Sequence, residues 1–222
     1  DLPSLYGIAD TQGLNRFLNV LAFNPANELG LESLSTPSHI GKQRLADYLE
    51  YLEAAYLIRR VHRIDYNAQR LIRARTFKVY LTNPSIRAAL FGSATSEDEA
   101  MGNLAETALW CQWLHSAEIS GSLHYARWKT GRRDNEVDIV SLDPRTHRPR
   151  FAVEIKWSDR IVDHPEELQA LVELASKHPL ERPAVVTTRT LEKRASIQGV
   201  GIDFMPAALY CYSIAKDIPS FS

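Results

Sequence analysis

Apolar residues recur at helical spacing in the first quarter of the chain and at alternate positions through much of its second half. Leu14, Phe17, Leu18 and Leu21 predict a helix over 13–24, stopped at Asn24-Pro25 because the residue before a proline is pushed out of the helical region. A short helix is expected over 28–37, ended by Pro37. The longest helix of this half is expected over 38–58, with Ile40, Leu45, Tyr48, Leu49, Leu52, Ala55 and Tyr56 as its apolar stripe. The stretches 56–64 and 75–83 then read as two strands joined by the loop DYNAQRLIRA. Further on, FAVEIKW (151–157) alternates: Phe151, Val153, Ile155 and Trp157 point one way, Ala152, Glu154 and Lys156 the other. That is the pattern of a strand with one buried and one wet face.

The first set of elements, three helices and then a two-stranded hairpin, has the order of a winged helix-turn-helix. The second set opens with a helix to about Ala117, capped by Ser96 with Glu97, Asp98 and Glu99 in its first turn, where carboxylates favour the positive end of the helix dipole. Strands follow over 123–130, 136–142 and 151–157. A helix over 164–179 carries the stripe Leu168, Leu171, Val172 and Ala175. A strand covers 183–190, and 206–214 reads as a last, edge element. The order helix, three strands, helix, strand makes the chain α/β in the α+β sense. FGSATSEDEAMG, small and acidic, marks a boundary between domains at 1–92 and 93–222.

With 222 residues and 45% apolar content the chain has material for two cores. No stretch approaches the about 18 consecutive apolar residues of a membrane span, and no membrane partner is expected. Cys111 and Cys211 are the only cysteines, which excludes a disulfide framework and a CxxC metal knuckle and leads us to expect a reducing, cytoplasmic setting. Net charge is −1, but it is unevenly spread: residues 1–92 carry +3 and residues 93–222 carry −4. In a winged helix the third helix enters the major groove and the hairpin follows the backbone. Lys42, Gln43 and Arg44 are then placed to touch DNA, and Arg59, Arg60, Arg63, Arg70, Arg73, Arg75 and Lys78 to contact phosphates. The same order also serves as a packing or dimerisation module, and a basic run is often only a solvated face. Oligomeric state is not legible.

Candidate chemistry sits in the second half. Strands 136–142 and 151–157, joined by a short polar loop, should pair antiparallel and bring Asp138 near Glu154, with Lys156 two residues on. Two carboxylates from adjacent strands suit a hard divalent cation, magnesium or manganese. A lysine beside them can position the attacking water or stabilise charge developing on a phosphate. Glu106, on the preceding helix, can complete the outer coordination. Each residue also has an ordinary reading: Glu154–Lys156 as a solvent-facing pair, Asp138 as an edge acid, Glu106 in a surface salt bridge. His115, His124, His147, His164 and His178 lack zinc-protease spacing, and neither a G-x-S-x-G elbow nor a phosphate-binding P-loop occurs.

LADYLEYLEAAYLIRR (45–60), FKVYLTNPSIRAALFG (77–92), NLAETALWCQW (103–113), YARWKTGRRDNEVDIV (125–140) and VEIKWSD (153–159) together resemble a C-terminal domain found in bacterial and archaeal AAA-type ATPases. The opening DLPSLYG resembles the junction after the ATPase part. The resemblance implies a C-terminal portion of such a protein, with its own ATPase domain as a partner and ATP bound only there. The family's C-terminal half is similar to the PD-(D/E)XK restriction-endonuclease-like nucleases. Carried over, this implies Asp138 and Glu154 as metal-site acids, Lys156 as the catalytic lysine and Glu106 as the helical acid. No proline precedes Asp138, where the name-giving pattern has one. Gln169 echoes a glutamine of some nuclease subgroups. A metal-dependent nuclease domain joined to a DNA-binding winged helix is the leading expectation. The alternative is a catalytically inactive module that binds nucleic acid or protein and regulates the ATPase.

Overall fold

Asp10 starts the first described helix: its Oδ1 accepts the Gly13 N–H at 2.7 Å, satisfying a donor that the helix end would leave open. The computed structural model describes residues 7, 10–23, 25–69, 76–95, 98, 100–114 and 117–217. The chain divides into two compact units, residues 1–61 with 73–111, and residues 62–72 with 112–222. The cap expected at Ser96, with Glu97 and Glu99, lies outside the described residues.

In the first unit, α1 (Thr11–Phe23), α2 (Leu31–Ser38) and α3 (Lys42–Ala54) enclose a core with β3 (Thr76–Leu81) and the start of β2 (Ile58–Ile64), of which residues 62–64 belong to the second unit. Leu14, Phe17, Leu21, Leu45, Leu49 and Val79 are among its members. These are the apolar positions of the helical stripes, now turned inward. Two boundaries differ from the sequence reading. A short strand, β1 (Glu28–Gly30), precedes α2 and pairs antiparallel with β3, Leu29 opposite Phe77. Helix α3 stops at Ala54 rather than 58. There Tyr56 takes a left-handed φ of 56°, its N–H donates to Glu53 O, and Leu57 N–H donates back to Leu52 O, the two-bond helix terminator usually built on glycine. A further helix, α4 (Ser85–Phe91), is capped by Asn83 Oδ1, which accepts the Ser85 N–H at 2.9 Å.

Helix α5 (Ala100–Leu114) belongs to the first unit as far as Cys111. Trp110 stacks on Tyr80 at 4.9 Å, and Cys111 Sγ donates to Leu81 O, so the thiol is a buried packing group.

The second unit is a mixed sheet. Its members are β4 (Leu123–Thr130), β5 (Arg133–Leu142), β6 (Pro149–Glu154), β7 (Ala184–Thr188), β8 (Lys193–Ile197) and β9 (Val200–Pro206), in the order β4-β5-β6-β7-β9-β8. Arg63 and Ile64 pair in parallel with Tyr125 and Ala126 at the β4 side. The β5–β6 hairpin is antiparallel as expected, with Ile139 opposite Val153. A short helix α6 (Ala117–Ser120) precedes β4. Helix α7 (Gln169–Lys177), entered through a 3-10 turn at Pro165–Leu168, lies on one face, where Leu171 and Val172 share a core with Val140 and Ala152. On the other face Trp113 stacks on Phe151 at 5.2 Å. Strand β6 is therefore covered on both sides: Ala152 is fully buried and Glu154 is 8% exposed. The face expected to be wet in FAVEIKW is buried at Ala152, where α7 packs, and at Glu154; only Lys156, beyond the strand, keeps a partly exposed side chain.

Two further corrections concern the C-terminal stretch. Residues 206–214 were expected as an edge element. Pro206 ends β9, and the rest lie in α8 (Ala207–Asp217), whose buried Ala207, Tyr210 and Ile214 follow helical spacing. The hairpin β8–β9 was not anticipated. Its two-residue turn, Gln198 at φ 51° and Gly199 at φ 83°, has the paired positive angles that match strand twist. Among the described residues no helix is long and apolar enough to cross a membrane.

Candidate active site

The site grows out of the way β6 ends. Its antiparallel register with β5 sets Asp138 one step beyond the Ile139–Val153 pair, at the level of Glu154. Beyond Glu154 the backbone leaves the ladder. The Ile155 N–H donates to Asp138 Oδ2 at 2.7 Å, and the Lys156 N–H donates to Thr187 Oγ1 at 2.9 Å. The Thr187 hydroxyl in turn donates to Lys156 O at 3.0 Å. Two successive residues are thus held by side chains from the neighbouring strands. Lys156 lies past the strand rather than on it, as the sequence reading had placed it. Its Nζ nevertheless returns to Glu154 Oε1 at 2.7 Å.

Glu154 carries the electrostatic tension of the site. Burial raises its pKa to about 8; the Asp138 carboxylate adds to the rise, and Lys156 opposes it. Glu154 Oε2 is buried and, among the described residues, has no hydrogen-bond partner. Glu136, two residues before Asp138 on β5, lies 3.5 Å from Arg127. Gln169, at the start of α7, is exposed.

Among the described residues no group of three or more His, Cys, Asp or Glu side chains forms a ready cage for a metal ion. The donors that face each other are two carboxylates, Asp138 and Glu154. They fit a hard divalent cation in kind, and the partnerless Oε2 of Glu154 is the atom such an ion would satisfy.

Glu106 lies in the first unit. There its Oε1 accepts Lys78 Nζ at 2.9 Å and the Tyr80 hydroxyl at 2.5 Å. Lys78, expected at a phosphate, is 3% exposed and enclosed in this pair, so it presents no charge at a surface. The rest of the expected nucleic-acid contacts are distributed as follows. Lys42 pairs with Glu32, Gln43 Nε2 donates to Asp47 at 3.2 Å, and Arg44 lies 3.8 Å from Asp10. Arg60 clamps Glu53 through its backbone N–H at 2.7 Å and its Nε at 2.6 Å. Arg59 is exposed and Arg63 half-buried. Arg70, Arg73 and Arg75 lie outside the described residues. The start of the basic loop packs within the second unit: Tyr66 stacks on Trp128 at 5.0 Å and sits under Lys177 Nζ at 3.8 Å.

Sequence reasoning missed Thr187 and Asp159. Asp159 accepts the N–H and hydroxyl of Thr190 and the N–H of Leu191, and these bonds lower its pKa to about 2. The available signal was the pair of threonines that ends the apolar strand Ala184–Thr188.

Comparison with known families divides the chain in a similar way. A restriction endonuclease family (Mrr_cat) matches residues 116–202, which contain Asp138, Glu154, Lys156 and Thr187. A family described as a domain of unknown function (DUF8612) matches residues 1–97. The chain therefore holds a restriction-endonuclease-like domain behind a DUF8612 domain. No curated protein matches the chain. Among solved structures, the chain is similar to the crystal structure of protein VC1899 from Vibrio cholerae. The two are 14% identical over 95% of this chain and 50% of that one, with a TM-score of 0.29. The chain thus spans half the length of that protein.

Proposed function

We propose that the restriction-endonuclease-like domain is a metal-dependent nuclease that hydrolyses phosphodiester bonds. The observation that carries this reading is Glu154: buried, partnerless at Oε2, beside Asp138, with Lys156 at 2.7 Å. In this reading Asp138 and Glu154 hold a magnesium or manganese ion. When bound, such an ion supplies charge to a phosphate oxygen and an acidified water. Glu154 holds the Lys156 ammonium at the rim of the site, where it stabilises negative charge developing on the phosphate. Burial on both faces of β6 keeps bulk water away from the carboxylates and strengthens these interactions. Glu106, the helical acid of the resemblance, is already engaged by Lys78 and Tyr80, and the reading does not depend on it.

The reading extends to the first unit. Its helices and hairpin act as a winged helix on DNA, with Lys42, Arg44 and Arg59 toward the duplex, and the whole chain serves as the C-terminal region of an AAA-type ATPase. Plasmid nicking in magnesium or manganese tests the core of the proposal. Wild type should nick, and Asp138→Ala and Lys156→Ala should each lose at least ~10²-fold in rate. Absence of metal-dependent cleavage in wild type on plasmid, linear and single-stranded substrates would sink the nuclease reading and leave the inactive interaction module.

A further inference from the structure

We infer that Thr187 is the positioning residue for Lys156: its single hydroxyl fixes both backbone polar groups of Lys156 and so aims the ammonium at Glu154. This inference rests on the nuclease reading for its kinetic consequence, and on geometry alone for its structural one.

The argument begins with the ladder. Strands β6 and β7 run parallel, with Val153 opposite Val185 and Glu154 opposite Val186. A continued ladder would give the Lys156 peptide groups to backbone partners on β7 and keep the side chain on the strand's pleat. Instead, the Lys156 N–H and C=O both go to the Thr187 hydroxyl, at 2.9 and 3.0 Å. A hydroxyl has one proton to donate and lone pairs to accept, so it can meet an N–H and a C=O of the same residue at once. No apolar side chain of that volume can.

The hydroxyl is itself fixed. Thr187 is fully buried, and its β-branched side chain on a strand has restricted χ1 freedom. Its own backbone is registered against β9, opposite Met205. On the other flank the Ile155 N–H is held by Asp138. The turn at 155–156 is therefore gripped from both sides, and the Lys156 side chain is thrown back toward Glu154 rather than along the strand. Farther along, Asp159 ties the same segment to Thr190 and Leu191. The Thr187 bonds are the pin nearest the ammonium.

Two measurements test this. The first is kinetic. Thr187→Val, which keeps the volume and removes the hydroxyl, should lower kcat by about 10²-fold with KM little changed, the effect of a displaced charge near the reacting phosphate. Thr187→Ser should restore the wild-type kcat. The second needs no activity. Labelling of lysines by an amine-reactive reagent, read by peptide mass spectrometry, should rise at Lys156 in Thr187→Val and stay unchanged at Lys177. Should Thr187→Val fail to fold, Thr187→Ala takes its place in both assays. Unchanged Lys156 labelling overturns the inference, as does loss of kcat that Ser fails to rescue. A wild type that cuts nothing sinks the nuclease reading, yet the labelling still decides whether Thr187 positions Lys156.

Discussion

Among the described residues each unit holds a glutamate–lysine pair, with the same side chains at nearly the same separation. Lys78 lies 2.9 Å from Glu106, with side chains 4% and 13% exposed; Lys156 lies 2.7 Å from Glu154, at 35% and 10%. What separates them is what else faces the carboxylate. Glu106 also receives the Tyr80 hydroxyl, so its Oε1 accepts from two donors. Glu154 faces a second carboxylate and, among the described residues, keeps one oxygen without a donor. A buried ion pair whose polar atoms are met is a strut. One with surplus negative charge has an interaction left to make, and a half-open lysine beside it leaves room for a ligand.

That contrast breaks most readily in stability. Glu106→Ala removes the acceptor that Lys78 and Tyr80 share and should cost about 3–5 kcal/mol in urea denaturation. Glu154→Gln keeps the packing and resembles the protonated carboxyl that the folded chain holds below about pH 8, so it should cost less than ~1 kcal/mol near neutral pH. Equal costs would mean that the two pairs are alike.

Next in size is a pH effect. The Glu154 pKa is raised from 4.5 to about 8 in the folded chain. Between those values the unfolded chain has released the proton and the folded one retains it, so stability falls as pH rises from about 4.5 to about 8. In metal-free buffer the loss should be on the order of a few kcal/mol, and Glu154→Gln should flatten the profile. A wild-type profile without this fall would place Glu154 in an ordinary ion pair.

A divalent cation should reverse the loss. At a hundred times its dissociation constant, magnesium or manganese should stabilise the chain by about 2.7 kcal/mol, seen as a raised Tm. Asp138→Asn should abolish the rise. Glu106→Gln, which alters the pair with Lys78, should leave the rise in place.

The approach of Asp138 to Glu154 was legible because they lie on a short hairpin, where register follows from loop length and alternation; Glu106 lies elsewhere, with Lys78 and Tyr80. Asp138, Glu154 and Lys156 were placed together for that reason. Their setting was not legible. Alternation in FAVEIKW reads as one wet face, whereas α7 shares a core with Ala152 on that face and Glu154 is buried. Thr187 was invisible for a related cause: its partner is the Lys156 backbone, which carries no sequence signal. The order of helices and strands in the first unit was readable from periodicity, but Tyr56 in a position that glycine usually fills hid the end of α3. The chemistry of 206–214 was misread because a short apolar run fits a strand or a helix equally well.

The smallest effect concerns a third kind of lysine. Lys42 pairs with Glu32 on the surface, at 53% and 83% side-chain exposure, unlike the enclosed Lys78. Lys42→Ala should change stability by no more than ~0.5 kcal/mol, since an exposed pair gains little over hydration. Its readout is binding. If α3 meets a duplex, removing one phosphate contact should weaken affinity about equally across sequences and reduce the slope of log K against log salt by roughly one. Lys42 keeps its charge available because Glu32 is as solvated as it is, so exchanging that partner for a phosphate costs little. Lys78 lacks this freedom, because leaving Glu106 would strand a buried carboxylate. An unchanged salt slope in Lys42→Ala would remove α3 from the interface and return the first unit to a packing role.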